Sequence, residues 1–109
     1  MMDHTLPLTI PAGHPAFAGH FPGRPILPGV VLLDAALHAL AARGGMQAGP
    51  VQLKSAKFLS PVLPGEALTL HYAESPGGSF RFEIRCTGIG GGERGVASGV
   101  VVFPQVSTA

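Results

Sequence analysis

Hydrophobic and polar positions alternate most cleanly between Phe80 and Thr87. Phe80, Phe82, Ile84 and Cys86 fall on one face of an extended chain, and Arg81, Glu83, Arg85 and Thr87 on the other. A period of two over eight residues predicts a strand with one face in a core. Val51–Leu59, Ala67–Glu74 and Val96–Phe103 also read as strands. Turn formers separate these runs at Ser60–Glu66 (SPVLPGE), Ser75–Ser79 (SPGGS) and Gly88–Gly95 (GIGGGERG). Thr5–Ile10 predicts a short strand that Pro7 keeps near a sheet edge.

A different period governs Gly29–Arg43 (GVVLLDAALHALAAR), the one segment that predicts a helix. Pro28 and Gly29 mark its start, and Gly44-Gly45 its stop, behind a favourable charge at Arg43. Valine, leucine and alanine occupy nearly every side of it, which predicts a helix buried all round by a sheet that wraps it. Before it lies Pro11–Gly29, with four Gly and five Pro. Such a stretch is stiff without being regular, and suits residues that must be held in place. The expected order is strand, long loop, central helix and four-strand meander. This is an α+β domain over residues 1–109, with about five antiparallel strands around one helix.

Composition narrows the function classes. With 109 residues the chain has the length of one domain, and with 46% apolar and 12% charged residues it is built to fold. So little charge also points to apolar surface covered by another subunit. A net charge of +1 without a basic block gives no footprint for nucleic acid. The single Cys86 permits no internal disulfide and no thiolate zinc motif, and is read as a core residue. The N-terminus lacks the pattern of a signal peptide, and Ile26–Ala42 is too short and interrupted to span a bilayer. A soluble cytoplasmic protein is expected, with no membrane partner.

Two residues stand out as candidate chemistry. His20 sits in the rigid loop AGHFPGRP, and Asp34 sits in the helix among apolar neighbours, where a carboxylate is costly unless paired or protonated. Each also has a plain structural reading: a loop-tying hydrogen bond for His20, and a charge favourable near a helix N-terminus for Asp34. His38, one turn beyond Asp34, reads as a packed or hydrogen-bonded structural residue. His14 and His71 read as structural or surface residues, and His4 as part of an unordered terminus. The spacing of His14, His20, Asp34 and His38 matches no zinc pattern, so no metal is expected.

The run Gly19–Leu37 (GHFPGRPILPGVVLLDAAL) resembles the signature of 3-hydroxyacyl-acyl-carrier-protein dehydratases of the FabZ/FabA type. Lys57–Leu68 (KFLSPVLPGEAL) resembles their second recurrent block. The HPAFAGHFPG opening is most similar to the small dehydratases of aryl-polyene-type lipid clusters. This resemblance implies a hot-dog fold, a long helix wrapped by an antiparallel sheet. It implies that His20 is the catalytic histidine and Asp34 its acidic partner from the facing subunit of a homodimer or heterodimer. The Gly29 N–H would bind the thioester carbonyl, the Ile26 carbonyl would steady the histidine ring, and Phe21 would lie at the substrate.

The implied reaction is dehydration of a 3-hydroxyacyl thioester on acyl carrier protein to the trans-2-enoyl thioester, without cofactor. His20 would take the C2 proton. Asp34, kept protonated by low-dielectric surroundings, would assist loss of the C3 hydroxyl. Arg24, Arg43, Lys54, Lys57, Arg81 and Arg85 are available to an acidic carrier protein. Two features depart from the family pattern. Five strands are expected where six are usual. Asp34 resembles the branch that also isomerises double bonds, whereas PVLPGE resembles the branch that only dehydrates. The alternatives are a hot-dog thioesterase, or a non-catalytic hot-dog subunit supporting an active partner.

Overall fold

In the computed structural model the described residues are 4–10, 27–44, 51–88 and 91–104. They form β1 (His4–Leu8), α1 (Gly29–Gly44), β2 (Gln52–Phe58), β3 (Ala67–Ser75), β4 (Ser79–Thr87) and β5 (Glu93–Val102). The strands make one antiparallel sheet in the order β1-β3-β4-β5-β2. This is the α+β arrangement expected, one helix with five strands. Among the described residues, no helix is long and apolar enough to cross a membrane.

The expected four-strand meander needs correction. Only β3, β4 and β5 follow one another; β2 pairs with β5, from Gln52↔Val102 to Phe58↔Ala97. A hairpin from β2 to β3 would need a tight turn. Instead the segment after β2 bonds to β5, with the N–H groups of Leu59 and Ser60 both donating to the Val96 carbonyl. The chain then crosses to β3, which pairs with β1. Pro7 indeed lies on an edge strand. His4, expected in an unordered terminus, instead pairs with Tyr72 and stacks on its ring at a centroid distance of 5.0 Å.

One face of the sheet supplies the core. Phe80, Phe82, Ile84 and Cys86 are buried as the alternation predicts, with Leu70 from β3 and Val101 from β5 beside them. Gly99 is required here, because a Cβ on it would collide with the Phe82 ring and the Ser55 carbonyl oxygen. From the helix, Leu32, Ala36 and Leu40 join this cluster at four-residue spacing.

The expectation that α1 is buried all round fails. Val30, Asp34, His38 and Ala42 form an exposed stripe at the same spacing, with Val30 70% exposed. A sheet belonging to one chain reaches one side of a helix. The opposite side of α1 is left open although its sequence is largely apolar.

The segment between β2 and β3 is fixed by Arg94, near the start of β5. Its guanidinium donates to both Glu66 carboxylate oxygens, at 3.0 and 2.8 Å. It also donates to Ser60 Oγ at 3.1 Å and to the Pro61 carbonyl at 2.6 Å. Ser60 Oγ in turn donates to the Gly95 carbonyl, and the Leu63 N–H donates to Glu66. The Glu66 side chain is only 6% exposed. Its hydrogen bonds from Arg94 outweigh the cost of burial, and with the Leu63 N–H they hold its carboxyl down at about 2 against an ordinary 4.5.

The direction of this shift sets a pH window. A carboxylate whose pKa is depressed on folding stabilises the fold fully above its unfolded value, and that contribution is lost as pH falls through the folded value. Glu66→Gln should therefore cost roughly 1.5–3 kcal/mol at pH 7, the range for hydrogen bonds to charged groups. The deficit relative to the parent chain should shrink between pH 4.5 and about 2. Urea denaturation of both chains across that range measures it, and a deficit independent of pH would contradict the assignment.

Candidate active site

The N-terminus of α1 forms one wall of an apolar groove. The Pro28 carbonyl accepts from the Val31 and Leu32 N–H groups at 3.1 and 3.3 Å, which starts the helix at Gly29. The N–H groups of Gly29 and Val30, at the first two helical positions, have no backbone acceptor among the described residues. Opposite them runs the segment 58–62. The open groove between the two walls has a volume of about 590 Å³, and the walls are tied together where the Leu27 N–H donates to the Val62 carbonyl at 2.9 Å.

Gly29 has a packing reason to be glycine. A Cβ there would stand 2.9–3.1 Å from three atoms of the Phe58 ring. The space beside the Gly29 backbone is thus bordered by an aromatic side chain of the protein itself. Phe58 is nonetheless 54% exposed, since it closes the groove on one side only. Sequence reasoning passed over Phe58, because nothing in a strand pattern marks the residue that faces a glycine 29 positions earlier.

Asp34 lies on the exposed stripe, just over one turn beyond Gly29. Its side chain is 68% exposed, so the burial expected for it is not supplied within this chain. The physical reason is the one-sided cover of α1. His38 stands beside it, with Nδ1 2.9 Å from the Asp34 carbonyl oxygen and 3.4 Å from Oδ2. As the N–H donor, His38 can serve both oxygens. This matches the hydrogen-bonded reading of His38, although the ring is 78% exposed and not packed.

His20, Phe21 and Ile26, together with His14 and Arg24, lie outside the described residues. Of the expected site, the structure therefore brings Gly29 to the groove and Asp34 to the open face of the same helix. Among the expected carrier-protein contacts, Lys54, Lys57 and Arg81 are exposed. Arg85 is engaged by Glu83 and Glu93 on the outer face of the sheet. Among the described residues, no three His, Cys, Asp or Glu side chains converge as metal ligands.

A family profile described as ApeI-like, ApeI dehydratase, matches residues 2–99. The 3-hydroxyacyl-[acyl-carrier-protein] dehydratase FabZ of Anaeromyxobacter sp. (strain Fw109-5) is 36% identical over 74 residues, which cover 58% of this chain and 47% of that protein. The chain spans about half the length of the curated relatives it matches. Among solved structures, the dehydratase heterocomplex ApeI:P from Xenorhabdus doucetiae matches with a TM-score of 0.73 at 22% identity, covering 93% of this chain and 86% of that one. The dehydratase domain of the polyketide PpsC from Mycobacterium tuberculosis gives 0.75 at 18%, covering 96% and 40%. At those identities the likeness is one of fold, the hot-dog fold. The profile match runs over nearly the whole chain, and on that ground the chain belongs to the ApeI-like dehydratase family.

Proposed function

We propose that the protein removes water from a 3-hydroxyacyl thioester carried on acyl carrier protein, giving the trans-2-enoyl thioester. The observation that carries this reading is the apolar groove beginning at the Gly29 N–H, which has no backbone acceptor among the described residues, with Asp34 just over one turn further along the same helix. The acyl chain would lie in the groove, with the thioester carbonyl at the helix N-terminus.

In this reading neutral His20 takes the C2 proton, and the electron pair passes toward the thioester oxygen. The Gly29 N–H stabilises the charge that develops there, a contribution of about 2.7–4 kcal/mol for one such donor. The pair then returns to form the C2–C3 double bond as the C3–O bond breaks. Asp34 gives its proton to the leaving hydroxyl, which departs as water. The proton on His20 returns to Asp34 through solvent, and the site is ready again. Both groups act by proton transfer at positioned atoms.

Asp34 lies on an uncovered face, so the same reading requires a second subunit. Every residue of β2 is exposed along the sheet edge, and Leu53 and Phe58 add apolar surface to that of Val30. A second hot-dog subunit pairing with β2 edge to edge would cover this surface and bring its histidine to Asp34. The heterocomplex among the matched structures supports a hot-dog partner, identical or related.

Light scattering at micromolar concentration should therefore give a dimer, either of the chain alone or on addition of its hot-dog partner. A monomer under both conditions would contradict the reading. Mass spectrometry of a 3-hydroxyacyl carrier-protein thioester should show loss of one water. Release of free acid would indicate a thioesterase instead. His20→Ala should lower the rate by roughly 10²–10⁴-fold, and Asp34→Asn should abolish most turnover while substrate still binds. Mixing the two inactive chains should restore activity, since one site of the mixed dimer carries both intact residues. Mixed dimers without activity would exclude the shared site.

A further inference from the structure

We propose that Arg94 is a positioning residue for the groove: its guanidinium sets the wall at 58–62, and thereby how tightly the acyl chain is gripped. The ligand named here rests on the dehydratase reading; the positioning role does not.

The wall has little apolar packing to hold it. Of residues 59–63, Val62 is buried, whereas Leu59 and Leu63 are exposed and Ser60 and Pro61 flank the groove. Pro61 and Pro64 cannot donate to a sheet ladder. What replaces packing is one planar group with donors pointing in several directions. Nε reaches Ser60, Nη2 reaches the Pro61 carbonyl, and the paired Nη atoms hold both oxygens of Glu66. Ser60 and Pro61 both line the groove, yet Arg94 does not. It therefore acts on a bound chain only through the wall.

Glu66 completes the device from the other end of the segment. One of its oxygens also accepts the Leu63 N–H, so the carboxylate fixes the turn into β3 while Arg94 fixes the residues before it. A lysine at position 94 would keep the charge, but its compact ammonium could not span these partners as a fork does. The arrangement thus depends on shape as well as charge, and the conservative variant tests that.

The experiment uses the full chain in its native assembly and two readouts. The first is equilibrium binding of a fluorescent medium-chain acyl thioether of pantetheine, which can be neither dehydrated nor hydrolysed. The second is the split of kcat from KM for the 3-hydroxyacyl thioester. Arg94→Lys should weaken probe binding and raise KM by roughly 10-fold, about the value of one hydrogen bond to a charged group, and change kcat less than about 3-fold. Glu66→Gln, which keeps the length of the side chain but turns one of its two acceptor oxygens into a donor, should also weaken probe binding. Hydrogen exchange in residues 59–66 should rise in Arg94→Lys, with β3 and β4 unchanged. Wild-type probe binding in both variants would overturn the proposal, as would a fall in kcat at constant KM. A parent chain that binds the probe through an intact wall yet turns over no thioester would defeat the dehydratase reading and leave the positioning role supported.

Discussion

A sheet can cover one side of a helix, and α1 is apolar on nearly every side. The rest of the structure follows from that mismatch. Leu32, Ala36 and Leu40 meet the inner face of the sheet in one core with Phe80, Phe82 and Ile84. The stripe from Val30 to Ala42 is exposed. Burying apolar surface is worth roughly 25 cal/mol per Å², so an uncovered valine beside an open strand edge favours assembly. The same stripe carries Asp34. The chain therefore displays its carboxylate on an open face, and on the dehydratase reading a site there would be completed by association rather than by folding alone.

The groove beside this stripe shows how an apolar binding surface can be built from poor packing material. Its wall comes from a segment whose Pro61 and Pro64 have no N–H to donate to a ladder. Arg94 gives the Pro61 carbonyl a charged donor at 2.6 Å in place of a ladder partner. The ion pair with Glu66 is largely withdrawn from solvent on the carboxylate side, and such pairs hold only when geometry is good and the remaining lone pairs are satisfied. Here they are: Glu66 receives both guanidinium nitrogens and the Leu63 N–H. A polar cluster thus gives an apolar wall its position.

Local pattern carried much of the fold. The alternation in Phe80–Cys86 placed the core face of β4 correctly, because a period of two has one geometric meaning. Pro28-Gly29 and Gly44 placed the ends of α1, because both act through their own backbone. What local pattern could not carry was pairing over distance. The partner of β2 is β5 and not β3, a choice made by hydrogen bonds from Leu59 and Ser60 that no spacing encodes. The composition of α1 registered that apolar surface must be covered, but not by which molecule. Asp34 was for that reason expected in a buried environment and is found in an open one. Arg94 and Glu66 stand 28 positions apart, each beside an ordinary turn, and only the folded chain brings them together.

Gly29 joins these lines of reasoning. A glycine at a helix N-terminus is usually understood through its backbone, as an exposed donor that a ligand can approach. Here the missing Cβ also admits the Phe58 ring, which borders the groove from the neighbouring wall. That ring belongs to β2, the strand whose whole length is exposed at the sheet edge. Its position is therefore shared between two constraints, the segment that Arg94 clamps just after it and the edge that a partner would cover. If β2 is the edge that pairs with a partner, as proposed, the shape of the groove beside the helix N-terminus is coupled to assembly through Phe58. The contact that gives Gly29 its close neighbour comes from the element with the least cover in the isolated chain.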